Sequence, residues 1–175
     1  MKTVLITGSS RGIGAATAKL FAENGFNVVI NYNKSAKQAE NLLAEIISKG
    51  GTAVAIKANV SSPTEVSAMI DEVNSRFGGV DVLVNNAGIS SQRLFTDISE
   101  EEWAEFMNVN LGGVFRTTKA VLPKMINKKS GKIINVSSIW GITGASCEVH
   151  YSTAKAAIIG FTKALAKEVG PSGIT

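Results

Sequence analysis

The sequence predicts an α/β fold: a doubly wound parallel sheet in three α/β/α layers. Three observations carry this expectation. Strand-like apolar runs alternate with segments of helical spacing from Thr3 to Val169. The runs are apolar without a break, as strands covered on both faces must be. A glycine-rich turn, Gly8 to Gly14, joins the first run to the first helical segment, as a tight strand-to-helix crossover requires. At 175 residues, 45% hydrophobic and 18% charged, the chain fits one domain, 1–175, burying roughly 70% of its unfolded surface.

Each element has its own signal. Thr3-Val4-Leu5-Ile6-Thr7 is the first expected strand. Helical spacing from Ile13 to Asn24 (Ala16, Leu20, Phe21) is stopped by Gly25. Asn27 to Tyr32 reads as the second strand. Ser35 with Gln38 predicts a capping box opening a helix to Lys49, ended by Gly50-Gly51. Thr52 to Ala58 is the third strand. Ser62-Pro63-Thr64-Glu65 supplies a cap, a proline at the first helical position and a capping-box acid, for a helix to Phe77. Val80 to Val84 is the fourth strand. Ser99 with Glu102 predicts the start of one long helix, Glu100 to Ile126. Lys132 to Val136 is the fifth strand. A Gly- and Ser-rich loop then leads to a helix from Tyr151 to Val169, stopped by Gly170-Pro171. Ile174-Thr175 reads as the first step into a sixth strand.

Composition narrows the function classes. The net charge of +4 comes from lysines spread along the chain, which reads as a solvated surface and not as a nucleic-acid site. Cys147 and His150 are the only residues of their kinds, so neither an internal disulfide nor a metal site is expected. Met1-Lys2-Thr3 runs straight into a strand, with no signal-type or spanning stretch, so a cytoplasmic protein without membrane contact is expected.

Four motifs carry chemistry. Gly8-Ser9-Ser10-Arg11-Gly12-Ile13-Gly14 opens a helix, where glycines let backbone approach a pyrophosphate at the helix N-terminus. Dinucleotide binding is favoured over a plain tight turn because a strand precedes it and a helix follows. At the end of the second strand stand Asn31, Tyr32 and Asn33, and no acid occurs between Gly25 and Gln38. An acid there would select NAD, whereas Arg11 and Lys34 supply charge for a 2′-phosphate, which favours NADP(H). Lys34 as a solvated loop residue stays an open alternative. Asn85-Asn86-Ala87-Gly88 is either a plain turn or a close cofactor border, with Asn85 able to tie strands together. Tyr151 and Lys155, four apart on a helix, share one face, and a fixed cation favours phenolate.

These motifs occur in the order of a known family. Thr7-Gly8-x-x-x-Gly12-Ile13-Gly14, Asn85-Asn86-Ala87-Gly88, Asn108-Val109-Asn110, Ser137-Ser138 and Tyr151-x-x-x-Lys155 together resemble the short-chain dehydrogenase/reductases. Within that family the chain resembles the 3-oxoacyl-[acyl-carrier-protein] reductase branch of fatty acid biosynthesis. The resemblance implies a single NAD(P)-binding, Rossmann-like domain and an NADPH-dependent reduction of 3-oxoacyl thioesters on acyl carrier protein. It implies that Tyr151 is the general acid, that Lys155 lowers its pKa and binds the nicotinamide ribose, and that Ser138 holds the substrate carbonyl. Asn110 then holds a water behind Lys155, although on its own it reads sooner as an exposed helical asparagine. Gly8, Ser10, Arg11, Gly12, Ile13 and Gly14 cradle phosphates. Asn33 lies at the adenosine ribose, Asn59 and Val60 beside the adenine, and Asn86, Ala87 and Gly88 along the ribose and pyrophosphate. Relatives continue with a further strand, a Pro-Gly turn, a substrate lid and a last strand. The chain is therefore expected to be C-terminally incomplete and to form a homodimer or homotetramer. The stretch from Ser137 through Val149 is also similar to a side branch that reduces a 5-aminopentanone group on elongation factor P. A dinucleotide-binding protein without catalysis is the alternative of another class.

Overall fold

The computed structural model describes residues 1–175. Five strands form one sheet: β1 (Thr3–Ile6), β2 (Asn27–Tyr32), β3 (Thr52–Lys57), β4 (Val82–Asn85) and β5 (Lys132–Asn135). All neighbours pair parallel in the order β3-β2-β1-β4-β5. The order reverses direction beside β1, and ligands bind such sheets at this switch point, outside the carboxyl ends of the strands.

Both faces of the three central strands, β1, β2 and β4, are buried, which explains their unbroken apolar character, whereas β5 leaves Ile134 exposed. Val4, Ile6, Val28, Ile30, Val82 and Val84 pack with Ala18 of α1 (Gly12–Glu23) and Leu42 and Ile46 of α2 (Ala36–Ser48). Leu5, Val29 and Leu83 face the other way, onto Met69 and Val73 of α3 (Pro63–Phe77) and onto Val121 and Met125 further along the chain. Two full cores, one per face, make the predicted three-layer α/β/α arrangement.

Local signals mostly operate as read. Ser62 Oγ accepts the Glu65 amide at the start of α3, and Gly78 ends it in the left-handed region at φ 80°. Ser99 Oγ accepts the Glu102 amide in the same way. Three expectations need correction. The Ser35 box does not form: Ser35 makes no side-chain cap bond, and its ψ of 58° lies outside the extended region caps use. The single helix from Glu100 is two, α4 (Glu100–Asn110) and α5 (Gly112–Lys128). Gly112 and Gly113 weaken helix continuity there, and the Asn110 side chain takes the Phe106 carbonyl. The loop after β5 contains a short helix, α6 (Trp140–Thr143), too brief for any periodicity to show; α7 then runs Val149–Val169. The step at Ile174 exists as an isolated parallel bridge to Gly131 on the β5 side of the sheet.

Candidate active site

The glycine turn after β1 is built by backbone shape. Gly8 and Gly12 have φ of 61° and 59°, a region that side chains disfavour. A Cβ on Gly8 would lie 2.9 Å from Ala87 Cα, and one on Gly14 would lie 2.8 Å from Ser9 Cα and 2.7 Å from Asn86 Nδ2. The turn and the β4 exit therefore touch backbone to backbone. The α1 N-terminus carries no side-chain cap and no acid in its first turn, so its amides are free for an anion.

Hydrogen bonds fix this turn to three strands. Asn31, at the β2 end, is buried and not at the surface. Its Oδ1 accepts the Gly8 amide at 3.1 Å, while its Nδ2 donates to the Ala58 carbonyl at 3.0 Å. Buried Ser9 donates to the Ile6 carbonyl and accepts the Asn31 amide. Thr7 Oγ1 accepts both the Asn86 and the Ala87 amides at 3.0 Å. Asn86 Nδ2 donates to the Thr7 and Gly8 carbonyls. Asn31, Ser9 and Thr7 are supporting residues to which sequence reasoning gave no such part. Their only signal is a polar side chain at the end of an apolar strand.

Asn85 does tie strands together. Its Nδ2 donates to Asn135 Oδ1 on β5 at 2.8 Å and to Thr118 Oγ1 at 3.1 Å, and its Oδ1 accepts Thr117 Oγ1 at 2.6 Å. With 3% exposure it has no water to replace these bonds. Asn85→Ala is expected to lower unfolding stability by about 2–3 kcal/mol, read from the denaturant midpoint at unchanged slope.

A cleft of about 540 Å³ opens above the switch point. Gly8, Ser10, Arg11, Gly12, Ile13, Asn33, Asn59, Val60, Asn86, Ala87 and Gly88 all line it, together with Lys34. Gly14 stands behind the wall, pressed on Ser9 and Asn86. The volume falls in the range of cofactor sites. Asn59 Oδ1 already accepts Ser61 N and Oγ, so its free polar group is Nδ2.

The second half of the site is built on α7. Tyr151 and Lys155 share a face, with Lys155 Nζ 5.6 Å from the Tyr151 ring centre. Lys155 is 4% exposed, and its Nζ donates to the Val136 carbonyl just past β5 at 2.8 Å. Burial pulls its pKa below the ordinary lysine value. Ser137 Oγ donates to the Lys155 carbonyl, and α6 packs so closely that a Cβ on Gly141 would meet that carbonyl carbon at 2.7 Å. Ser138 Oγ accepts the Trp140 amide, so its own proton stays free for another oxygen. Asn110 is fully buried, not exposed. Its Oδ1 accepts the Ile89 amide and its Nδ2 donates to the Ile89 carbonyl, both at 3.1 Å. A Cβ on Gly88 would lie 2.6 Å from Asn110 Oδ1 and 3.8 Å from Lys155 Nζ. Gly88 is thus where the cleft above the switch point meets the lysine.

A family model described as short chain dehydrogenase matches residues 2–175. The chain belongs to the short-chain dehydrogenases. This is an oxidoreductase family using nicotinamide dinucleotides, and the five-stranded Rossmann-like sheet is its fold. Among similar curated members is the 3-oxoacyl-[acyl-carrier-protein] reductase of Synechocystis sp., 46% identical over 174 residues, 99% of this chain and 70% of that protein. The reductase of Staphylococcus epidermidis is 47% identical over 99% of this chain and 71% of its own length. That of Vibrio cholerae is 41% identical over 99% and 70%. In this short-chain dehydrogenase Tyr151 and Lys155 stand together on α7, and the Ser137-Ser138 pair leads into α6, which packs against the Lys155 backbone. No helix is long and apolar enough to cross a membrane.

Proposed function

We propose that the chain is a cytoplasmic NADPH-dependent reductase of 3-oxoacyl thioesters carried on acyl carrier protein, giving 3-hydroxyacyl thioesters. The observation that carries the reading is buried Lys155 beside Tyr151, at the point where Gly88 brings the dinucleotide cleft against Nζ. The bound cofactor supplies hydride. Ser138 donates its free proton to the substrate carbonyl oxygen and fixes it. Tyr151 transfers its phenolic proton to that oxygen. The Lys155 ammonium stabilises the phenolate left behind, and Asn110 stands behind Lys155 as the holder of a relay water. The similarity to acyl-carrier-protein reductases supports the substrate class.

NADPH fits the adenosine end better than NADH. Arg11 and Lys34 line the cleft, neither is engaged in a salt bridge, and Asn33 stands where an acid would repel a 2′-phosphate. The Arg11→Ala, Lys34→Ala double variant is expected to raise the Kd for NADPH about 30-fold while changing that for NADH less than about threefold. Equal losses for both cofactors would count against the 2′-phosphate role.

Subunit pairing is expected through α5 and α7. Phe115, Leu122, Ile126, Phe161 and Leu165 line an open apolar groove of about 270 Å³ between them. The deciding assay follows NADPH oxidation with an acetoacetyl thioester and, separately, with an aminoketone on protein. In the alternative, aminoketone reading, Glu148, which makes no cap bond and no salt bridge, is the group that meets the substrate amine. Cofactor binding with no oxidation in either arm would point to the non-catalytic reading.

A further inference from the structure

The proposed reaction leaves one buried cluster unused. His150 precedes Tyr151 on α7 and is fully buried, with its ring 3.9 Å from that of Phe106 on α4. Its Nε2 lies 3.1 Å from Ser91 Oγ. Ser91 Oγ in turn donates to Glu102 Oε1 at 3.1 Å, and Arg93 Nε holds the other Glu102 oxygen at 3.3 Å.

The hydrogen-bond chain fixes the tautomer. Ser91 has one hydroxyl proton, and Glu102, an acceptor only, takes it. His150 Nε2 must therefore be the donor to Ser91, since the Glu102 oxygen is too far at 3.7 Å. Nδ1 makes no hydrogen bond and is the bare nitrogen. A hydrolytic triad is excluded on the same grounds. The acid sits on the serine rather than on Nδ1, and the serine proton points away from the imidazole.

Position gives the cluster its consequence. α7 begins without a side-chain cap. Just ahead of it Cys147 is strained at φ 61°, and its carbonyl accepts the Arg93 amide at 2.7 Å. The segment from Ile89 to Arg93 thus acts as a strap, held to α4 by Asn110 and Glu102, to α7 by His150, and to the turn just before α7 by the Cys147 carbonyl. We propose that His150 is a positioning residue, whose Nε2–H bond to Ser91 sets the first turn of α7 and so places the Tyr151 phenol. The proposal rests on Tyr151 being the reductase acid.

As His150 is the only histidine, untagged protein labelled with ¹⁵N-histidine shows one imidazole. At pH 8 it is expected to be protonated on Nε2 and bare on Nδ1; protonation on Nδ1 would overturn the proposal. His150→Phe keeps the ring against Phe106 but lacks the donor. It is expected to lower kcat about tenfold, with KM and the NADPH Kd within about twofold, as small displacements of reacting groups do. His150→Gln, which keeps a donor, should restore most of the loss. The ring-carbon resonance of Tyr151 should shift in His150→Phe and return in His150→Gln, while that of Tyr32, the only other tyrosine, stays put. An unmoved Tyr151 resonance, or equal losses in kcat and NADPH affinity, would overturn the positioning role. If the unaltered protein binds NADPH but turns over no carbonyl, the reductase reading fails by itself, and the Tyr151 resonance still decides the strap.

Discussion

Tyr151→Phe is expected to lower kcat for carbonyl reduction about 10³-fold while leaving the NADPH Kd within about threefold. General acids contribute about 10²- to 10⁴-fold, and removing one hydroxyl leaves the packing of α7 intact. The contrast with Lys155→Met separates the two roles. Lys155 is buried against the Val136 carbonyl and lies next to Gly88, so its loss should lower kcat and weaken cofactor binding together. Single-turnover kinetics with fluorescence titration of NADPH check both. The pH profile follows from the sign of the lysine shift. Burial favours the neutral amine, so the ammonium is lost at a lower pH than on an exposed lysine. Reduction needs the ammonium and the protonated phenol, so kcat should fall on the alkaline side, starting below the range of an ordinary lysine. A flat profile through that range would show that Lys155 does not carry its charge into the reaction.

Gly8→Ala is expected to remove most cofactor affinity, raising the NADPH Kd about 100-fold or more, and to lower the thermal midpoint as well. The alanine would have to occupy φ near 61°, which costs about 1–2 kcal/mol for an L-residue. Its Cβ would also sit 2.9 Å from Ala87 Cα, a backbone atom that cannot turn aside. Relief requires moving the β4 exit away from the turn, which breaks the Thr7 bonds to Asn86 and Ala87. Gly12→Ala is the control: it shares the positive φ, yet nothing lies within 4 Å of its Cβ. A Gly8→Ala affinity no worse than that of Gly12→Ala would show that the close approach to Ala87 is unimportant.

The sequence was legible where one local rule decides the outcome. β2 and α3 run between the residues their apolar runs, cap and stop glycine indicate. The α4–α5 break was half legible: Gly112 and Gly113 stand in the sequence, but the Asn110 side chain that takes the Phe106 carbonyl is held by Ile89, 21 residues away. α6 was missed because four residues give no period. Ser35 reads as a cap in sequence and is not one, since its backbone leaves the extended region at the cleft wall. Asn31, two residues before the expected ribose contact Asn33, has its side-chain amide consumed by Gly8, Ile56 and Ala58.

By itself the sequence determined the parallel α/β architecture, the glycine turn after β1 and the Tyr151–Lys155 pair on one helix face, because periodicity, glycine spacing and an i, i+4 pair are local properties of a chain. Only the tertiary structure decided which polar residues face the cleft and which are spent holding it. That choice depends on hydrogen bonds between segments far apart in sequence: Thr7 with Asn86, Asn31 with Ala58 and Asn85 with Asn135 at the strand ends, and His150 of α7 with Ser91. A buried polar group must find a partner wherever the fold brings one, and no spacing rule records which partner that is.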